Sequence, residues 1–140
     1  MEIKETINIK VPFYDVDSMQ VVWHGNYVKY LEDARCNLLE KIGYSYEKMR
    51  ESGYMYPVAT MKIKYIKPSI FNQEITITAI LKEYETCLII KYIVKDAKTG
   101  EKISTAETMQ IAVDMKTLES VYEPSEMLIS SVEKIKENLQ

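Results

Sequence analysis

Between residues 27 and 42 apolar side chains return every three or four positions. Tyr27, Tyr30, Leu31, Ala34, Leu38 and Ile42 share one helical face, and Lys29, Asp33, Asn37 and Glu40 fall opposite. Asn26 stands where an N-cap belongs and Gly43 where such a helix stops, so the pattern predicts about 16 residues, or ~24 Å at 1.5 Å each. Ahead of it, residues 6–14 alternate with Ile7, Ile9, Val11 and Phe13 on one side, a strand that Pro12 confines to an edge or a strand end. Behind it, Met61, Ile63 and Tyr65 alternate with Lys62 and Lys64 until Pro68 ends the run. Ile75, Ile77, Ala79 and Leu81 alternate with Thr76, Thr78 and Lys82, and residues 87–96 form a third run. Lys98-Thr99-Gly100-Glu101 supplies a hairpin turn, and a fourth run covers about 102–115, ending near Asp114. Ser125 is placed to cap a last amphipathic helix carrying Met127, Leu128, Val132, Ile135 and Leu139.

The order is strand, one long helix, four antiparallel strands and a C-terminal helix, which is an α+β arrangement. One long apolar helix face needs covering, and the economical way is to wrap the antiparallel sheet around it. A small curved sheet of this kind completes its burial by pairing with a second copy. No repeat, low-complexity stretch or linker divides the chain, so a single domain is expected over residues 1–140.

Composition removes whole classes of function. Eighteen basic residues against 21 acidic ones leave a net charge of −3, which is no footprint for nucleic acid. The two cysteines, Cys36 and Cys87, match no metal or redox spacing and are expected to be free thiols. The N-terminal residues reach no apolar run suited to a signal peptide, and no stretch approaches the ~18 apolar residues of a membrane span. A cytoplasmic protein is expected. Eleven tyrosines beside two phenylalanines and one tryptophan are a skew that the sequence does not explain.

With one histidine, His24, any Ser-His-Asp or Cys-His site must use it. No Gly-x-Ser-x-Gly or glycine-rich phosphate loop is present, and Asp15 with Asp17 offers too few ligands for a hard cation, so no metal site and no cofactor are expected. What remains is Tyr14 to Tyr27, which sets two carboxylates, an imidazole and an amide just before the long helix. The unpaired N–H groups and positive dipole end of that helix suit an oxyanion, and a nearby carboxylate could attack a carbonyl or activate water. A polar loop that merely caps the helix, with solvated carboxylates, fits the same residues.

The segment Tyr14-Asp15-Val16-Asp17, followed by Val21-Val22-Trp23-His24-Gly25-Asn26-Tyr27 and by Glu32 and Arg35, resembles the signature of the 4-hydroxybenzoyl-CoA thioesterase family, acyl-CoA thioesterases of the hot-dog fold. Tyr65-Ile66-Lys67-Pro68-Ser69 with Phe71 and Ile75 extends the likeness along most of the chain. The resemblance implies hydrolysis of an acyl-CoA, or of an acyl carrier protein thioester, without a cofactor. It implies Asp17 as the catalytic carboxylate and His24 as the helix-entry position whose backbone N–H faces the thioester oxygen. Gly25, Asn26 and Tyr27 match the helix entry that borders the substrate, with Asn26 and Tyr27 read first as capping and packing. It also implies a homodimer or homotetramer whose acyl tunnel takes a strand from the partner, here Val58, Ala59 and Thr60. Asp15 reads as structural, and Glu32 with Arg35 as a helix-surface pair or interface contact. Two departures stand out. Gln20 replaces a usual glycine, so the loop is expected to find another backbone conformation or a different substrate fit, and Tyr84-Glu85-Thr86 stands where some members place basic residues near the coenzyme phosphates. A non-catalytic acyl-CoA binding module is the rival from another class, and a hot-dog dehydratase or hydratase is a second enzymatic one.

Overall fold

A computed structural model describes residues 2–123 and 125–139. The elements in chain order are β1 (Lys4–Lys10), α1 (Tyr27–Ile42), α2 (Tyr46–Ser52), β2 (Tyr54–Met55), β3 (Val58–Tyr65), β4 (Glu74–Glu83), β5 (Leu88–Asp96), β6 (Lys102–Gln110), β7 (Ala112–Asp114), β8 (Ser120–Val121) and α3 (Glu126–Leu139). Five strands form an antiparallel sheet in the order β1-β4-β5-β6-β3, and a small second sheet joins β2, β7 and β8.

Helix α1 runs over the predicted residues. Its buried face includes all six positions of the apolar stripe, and Gly43 ends it at φ 88°, a left-handed conformation that glycine reaches without strain. The stripe packs against the inward residues of the sheet: Ile7 and Ile9 of β1, Ile75, Ile77 and Ala79 of β4, Ile90 and Tyr92 of β5. Each such aliphatic side chain taken out of water contributes roughly 1.5–3 kcal/mol, so the helix is held by the sheet rather than by its own propensity. Ser125 caps α3, its Oγ accepting from the Leu128 N–H at 3.4 Å, and Leu128 and Val132 are fully buried. The side chain of Leu139 lies outside the described residues.

Several sequence expectations need correction. The first strand stops at Lys10, and Phe13 sits in a short 3-10 turn, Phe13–Asp15, because Pro12 cannot continue the ladder. The fourth run is two strands, β6 and β7, which belong to different sheets. Helix α2 carries no extended apolar period and escaped the pattern; only Met49 is buried on it. Arg35 does pair with Glu32, but it is buried rather than a surface residue. It lies 3 % exposed on the inner face of α1, where its Nε donates to Tyr46 Oη at 3.0 Å while Nη2 meets Glu32 at 3.2 Å.

The tyrosine excess now has an account. Tyr27, Tyr30, Tyr44 and Tyr92 are buried, and each hydroxyl finds a partner: Ser69, Asp15, Ser125 and Thr108 respectively. Tyrosine spans from core to polar neighbour with one side chain, filling volume as phenylalanine would while tying segments together.

The β5–β6 turn is locked by Asp96. Its carboxyl accepts from the Lys98 and Thr99 N–H groups at 2.8 and 2.9 Å and from Gln73 Nε2 at 2.8 Å. These bonds, led by the Thr99 N–H, hold its pKa down to about 2. A depressed folded-state pKa stabilises above the unfolded value and stops doing so as pH falls through the folded one. Asp96→Ala should therefore lower Tm at neutral pH, and the gap from the parent should close between about pH 4 and about pH 2 in thermal melts followed by circular dichroism. A gap independent of pH would show that the carboxylate charge does not lock the turn.

Candidate functional site

The segment between β1 and α1 folds as a tight hairpin. Val16 bridges Val22, the Asp17 N–H donates to Val21 O at 2.9 Å, and the Gln20 N–H donates back to Asp17 O at 2.9 Å. Asp17 Oδ1 accepts from the Met19 N–H at 2.8 Å, which fixes the half-buried side chain. Gln20 takes φ 65°, the left-handed conformation expected of a glycine. A side chain thus occupies a backbone conformation that glycine would reach without strain. The hairpin is pinned to the chain after β3, because Val22 donates to Ser69 O at 2.8 Å and Val21 bridges Ile70.

Asp15, two residues from Asp17, is in a different environment. It is 3 % exposed, and its carboxyl accepts from Lys29 Nζ at 2.7 Å and Tyr30 Oη at 2.6 Å. Its carbonyl takes the Trp23 N–H at 3.0 Å and Asn26 Nδ2 at 2.8 Å. Burial, reinforced by the Asp15 carboxylate, pushes the Tyr30 hydroxyl far above its ordinary pKa, so it stays a proton donor to Asp15. Asp15 thus ties the loop to the first turns of α1. Asn26 marks the helix boundary as expected, but its side chain ties down the Asp15 carbonyl and caps no helix N–H.

His24-Gly25-Asn26 forms a 3-10 turn that runs straight into α1. The N–H groups of His24 and Gly25 donate to no backbone or side-chain acceptor among the described residues. They stand at the positive end of the helix dipole. The Trp23 ring lies over Gly25, where any Cβ would come within 2.3 Å of it, so glycine is required while that ring stays in place. His24 is exposed, its ring edge-on to Tyr65, and Tyr65 Oη donates to His24 O at 3.0 Å.

These residues meet in a cleft of about 290 Å³ lined by Asp17, Val21, Val22, His24, Tyr27, Tyr65, Ile66, Lys67 and Pro68. The Tyr27 ring forms part of its wall while its hydroxyl donates to Ser69 Oγ at 2.9 Å. The Lys67 ammonium is ion-paired with Glu101, and a carboxylate beside the unpaired N–H groups of a helix entry can hold a polarised carbonyl and deliver a base or a nucleophile to it. Among the described residues no group of three or more His, Cys, Asp or Glu side chains is placed to hold a metal ion.

Asp17, His24 and Tyr27 line one cleft, and Gly25 and Asn26 are not among its lining residues. Val58, Ala59 and Thr60 do not join them: they lie exposed at the opposite end of β3 from Tyr65. Tyr65 and Lys67 were missed as site residues. Their signal is the Tyr65-Ile66-Lys67-Pro68 run, which ends a strand and carries part of the family likeness without itself pointing to the site. No helix among the described residues is long and apolar enough to cross a membrane.

Comparison with known proteins gives a consistent family. The Thioesterase-like superfamily matches the chain over residues 11–135. The chain is 29% identical over 76 residues to Bacillus subtilis (strain 168) YneP, a protein named provisionally as an acyl-CoA thioesterase; the match covers 54% of this chain and 55% of that one. It is 27% identical over 110 residues to the long-chain acyl-CoA thioesterase FadM of Escherichia coli (strain K12), covering 78% and 83% respectively. The chain therefore spans little more than half the length of the first curated relatives it matches, at 55% and 58%. The crystal structure of the hypothetical protein TT1821 from Thermus thermophilus superposes with a TM-score of 0.81 at 25% identity, over 92% of this chain and 97% of that one.

Proposed function

The chain belongs to the Thioesterase-like superfamily and has its hot-dog fold, and from that premise we propose that it hydrolyses an acyl-CoA thioester to the free acid and coenzyme A. The observation that carries the reading is the meeting of a half-buried carboxylate, Asp17, with His24 in one cleft at the entry of α1, where the N–H groups of His24 and Gly25 are unpaired among the described residues. The thioester oxygen sits against those N–H groups, each worth on the order of 3 kcal/mol to the developing oxyanion. Asp17 takes the proton of an attacking water, or itself attacks the carbonyl to give an anhydride that water then opens. In either course the C–S bond breaks, the thiolate leaves and takes up a proton, and the acyl carbon ends bonded to the oxygen of water. A thioester is activated enough for this without a metal or organic cofactor. Within the superfamily the reading extends to the 4-hydroxybenzoyl-CoA thioesterase group, on the strength of the Asp17 to Arg35 signature.

Incubation with a panel of acyl-CoAs, trapping free thiol, tests the proposal. Steady release of coenzyme A is expected. Tight binding without turnover would make the protein an acyl-CoA binding module instead.

We also propose a homodimer. Strand β3 lies at the sheet edge, and all its residues but Ile63 are exposed, Val58 and Met61 among them. An edge left this open is finished by pairing with a second copy. A two-fold axis across β3 reverses the partner strand, so Val58, Ala59 and Thr60 of the partner subunit come beside the Tyr65 end, next to the cleft. Sedimentation should give about twice the 16.3 kDa protomer mass. A stable monomer that turns over substrate would overturn the assembly.

A further inference from the structure

Tyr65 is the last residue of β3, and the chain around it is tied to β6. It pairs with Ser104, whose Oγ donates to the Lys64 carbonyl at 2.8 Å. The Ile66 and Lys67 N–H groups both donate to Ile103 O at 3.0 Å. From that platform the phenol reaches back across 41 residues of sequence to the helix entry, where Tyr65 Oη donates to His24 O at 3.0 Å. Its ring stands edge-on to the His24 imidazole, centroids 6.1 Å apart, and to the Tyr27 ring at 5.6 Å, which fixes the direction from which the hydroxyl arrives.

Stability alone does not call for this bond. His24 O already accepts the Tyr27 N–H inside the 3-10 turn, so it is no orphaned acceptor. The hairpin before the turn is already pinned to the chain after β3, through Val22 to Ser69 and through Val21 to Ile70. Tyr65 is 48 % exposed, with water open to its hydroxyl as another acceptor. The bond matters for what lies on the other side of the same peptide. His24 O and the Gly25 N–H belong to one amide unit. Each hydrogen bond accepted by the oxygen draws electron density through the amide resonance and leaves the N–H more positive. That N–H donates to no acceptor among the described residues, and it is one of the two assigned above to the thioester oxygen. The other, His24 N–H, gains in the same way from the Asn26 N–H on Trp23 O at 2.8 Å, but there the turn's own backbone is the donor.

We infer that Tyr65 is a positioning residue of the oxyanion site: its hydroxyl holds the His24–Gly25 peptide and strengthens the Gly25 N–H as a donor. It acts through that peptide and does not touch the substrate. The inference rests on the thioesterase reading above. As negative charge builds on the thioester oxygen, a stronger donor gains most, so the contribution belongs to the transition state more than to binding.

Tyr65→Phe removes the hydroxyl and keeps the ring. On the acyl-CoA of highest kcat/KM in the panel, kcat should fall by about 3- to 10-fold, the scale of weakening one oxyanion donor without deleting it. KM should stay within about twofold of the parent value. The second readout is infrared. An analogue of that acyl-CoA with a methylene in place of sulfur, isotope-labelled at its ketone carbon, resists hydrolysis and reports the hydrogen bonds its carbonyl receives. Its carbonyl band should lie at higher frequency on Tyr65→Phe than on the parent protein. Fluorotyrosine at position 65, a stronger donor, should move both kcat and the band to the parent values or past them. A fall in kcat with the band unmoved would make Tyr65 a structural contact only and overturn the role. So would a raised KM at unchanged kcat, which would place the hydroxyl on the substrate itself. Should Tyr65→Phe fail to fold, the fluorotyrosine protein decides, and a rate and band identical to the parent's would overturn the role. If the parent releases coenzyme A from no member of the panel, the thioesterase reading falls and this role with it. Turnover that Tyr65→Phe leaves unaltered removes only the role.

Discussion

Replacing Asp17 by Asn is expected to lower kcat by roughly 10²–10⁴-fold on the best acyl-CoA substrate while KM moves little. The substitution keeps the size of the side chain and an oxygen able to accept the Met19 N–H, the bond that fixes the turn at 2.8 Å. What it removes is the charge and the basicity. Binding should survive because the amide donors of His24 and Gly25 and the cleft walls are untouched. Steady-state kinetics with circular dichroism and sedimentation on the same sample separate lost chemistry from a collapsed loop. A folded, dimeric Asp17→Asn protein with near-normal kcat would remove Asp17 from the mechanism.

The matching experiment at Asp15 should give the opposite profile. Asp15→Ala leaves the buried Tyr30 hydroxyl without its acceptor and Lys29 without its counter-ion. An orphaned buried hydroxyl costs about 1–3 kcal/mol, and the half-exposed Lys29 adds less because water reaches it. A total of about 2–3 kcal/mol corresponds to a fall in Tm of roughly 6–12 °C for a chain of this length. Tyr30→Phe placed on top of Asp15→Ala should cost little more, since the bond is already gone. Below the melting transition kcat should stay within an order of magnitude of the parent. A loss of kcat as deep as that of Asp17→Asn, with Tm unchanged, would exchange the roles of the two carboxylates.

Much of this architecture is written in local pattern. The period of Tyr27 to Ile42 and the stop at Gly43 place α1 because a helix buried along one stripe must repeat every three to four residues. The alternations around Ile63, Ile77 and Ile90 place β3, β4 and β5 for the corresponding reason at period two. Pattern failed where tertiary contact overrides sequence neighbourhood. Glu32 and Arg35 have the spacing of an exposed pair, and only the arrival of Tyr46 from α2 shows why a guanidinium can stay on the inner face. Asp15 and Asp17 cannot be told apart by residue type. Their roles diverge because Lys29 and Tyr30, fourteen and fifteen residues onward, reach one of them. The cleft was half legible. Asp17 and His24 lie on the near side in sequence, but the wall made by Tyr65 and Lys67 arrives from forty residues away, and nothing local to those two announces it.

The single tryptophan of the chain has a use that does not depend on any chemistry it performs. Trp23 lies half exposed over Gly25, with its ring 5.1 Å from the His24 imidazole, at the rim of the cleft. Light absorbed by the eleven tyrosines can pass by resonance transfer to this one emitter, so the fluorescence of the whole molecule reports from one spot. The imidazole beside it quenches indole emission, and a bound molecule that shields either ring changes the intensity. Occupancy of the cleft can thus be followed optically in the unmodified protein, in real time and without a label.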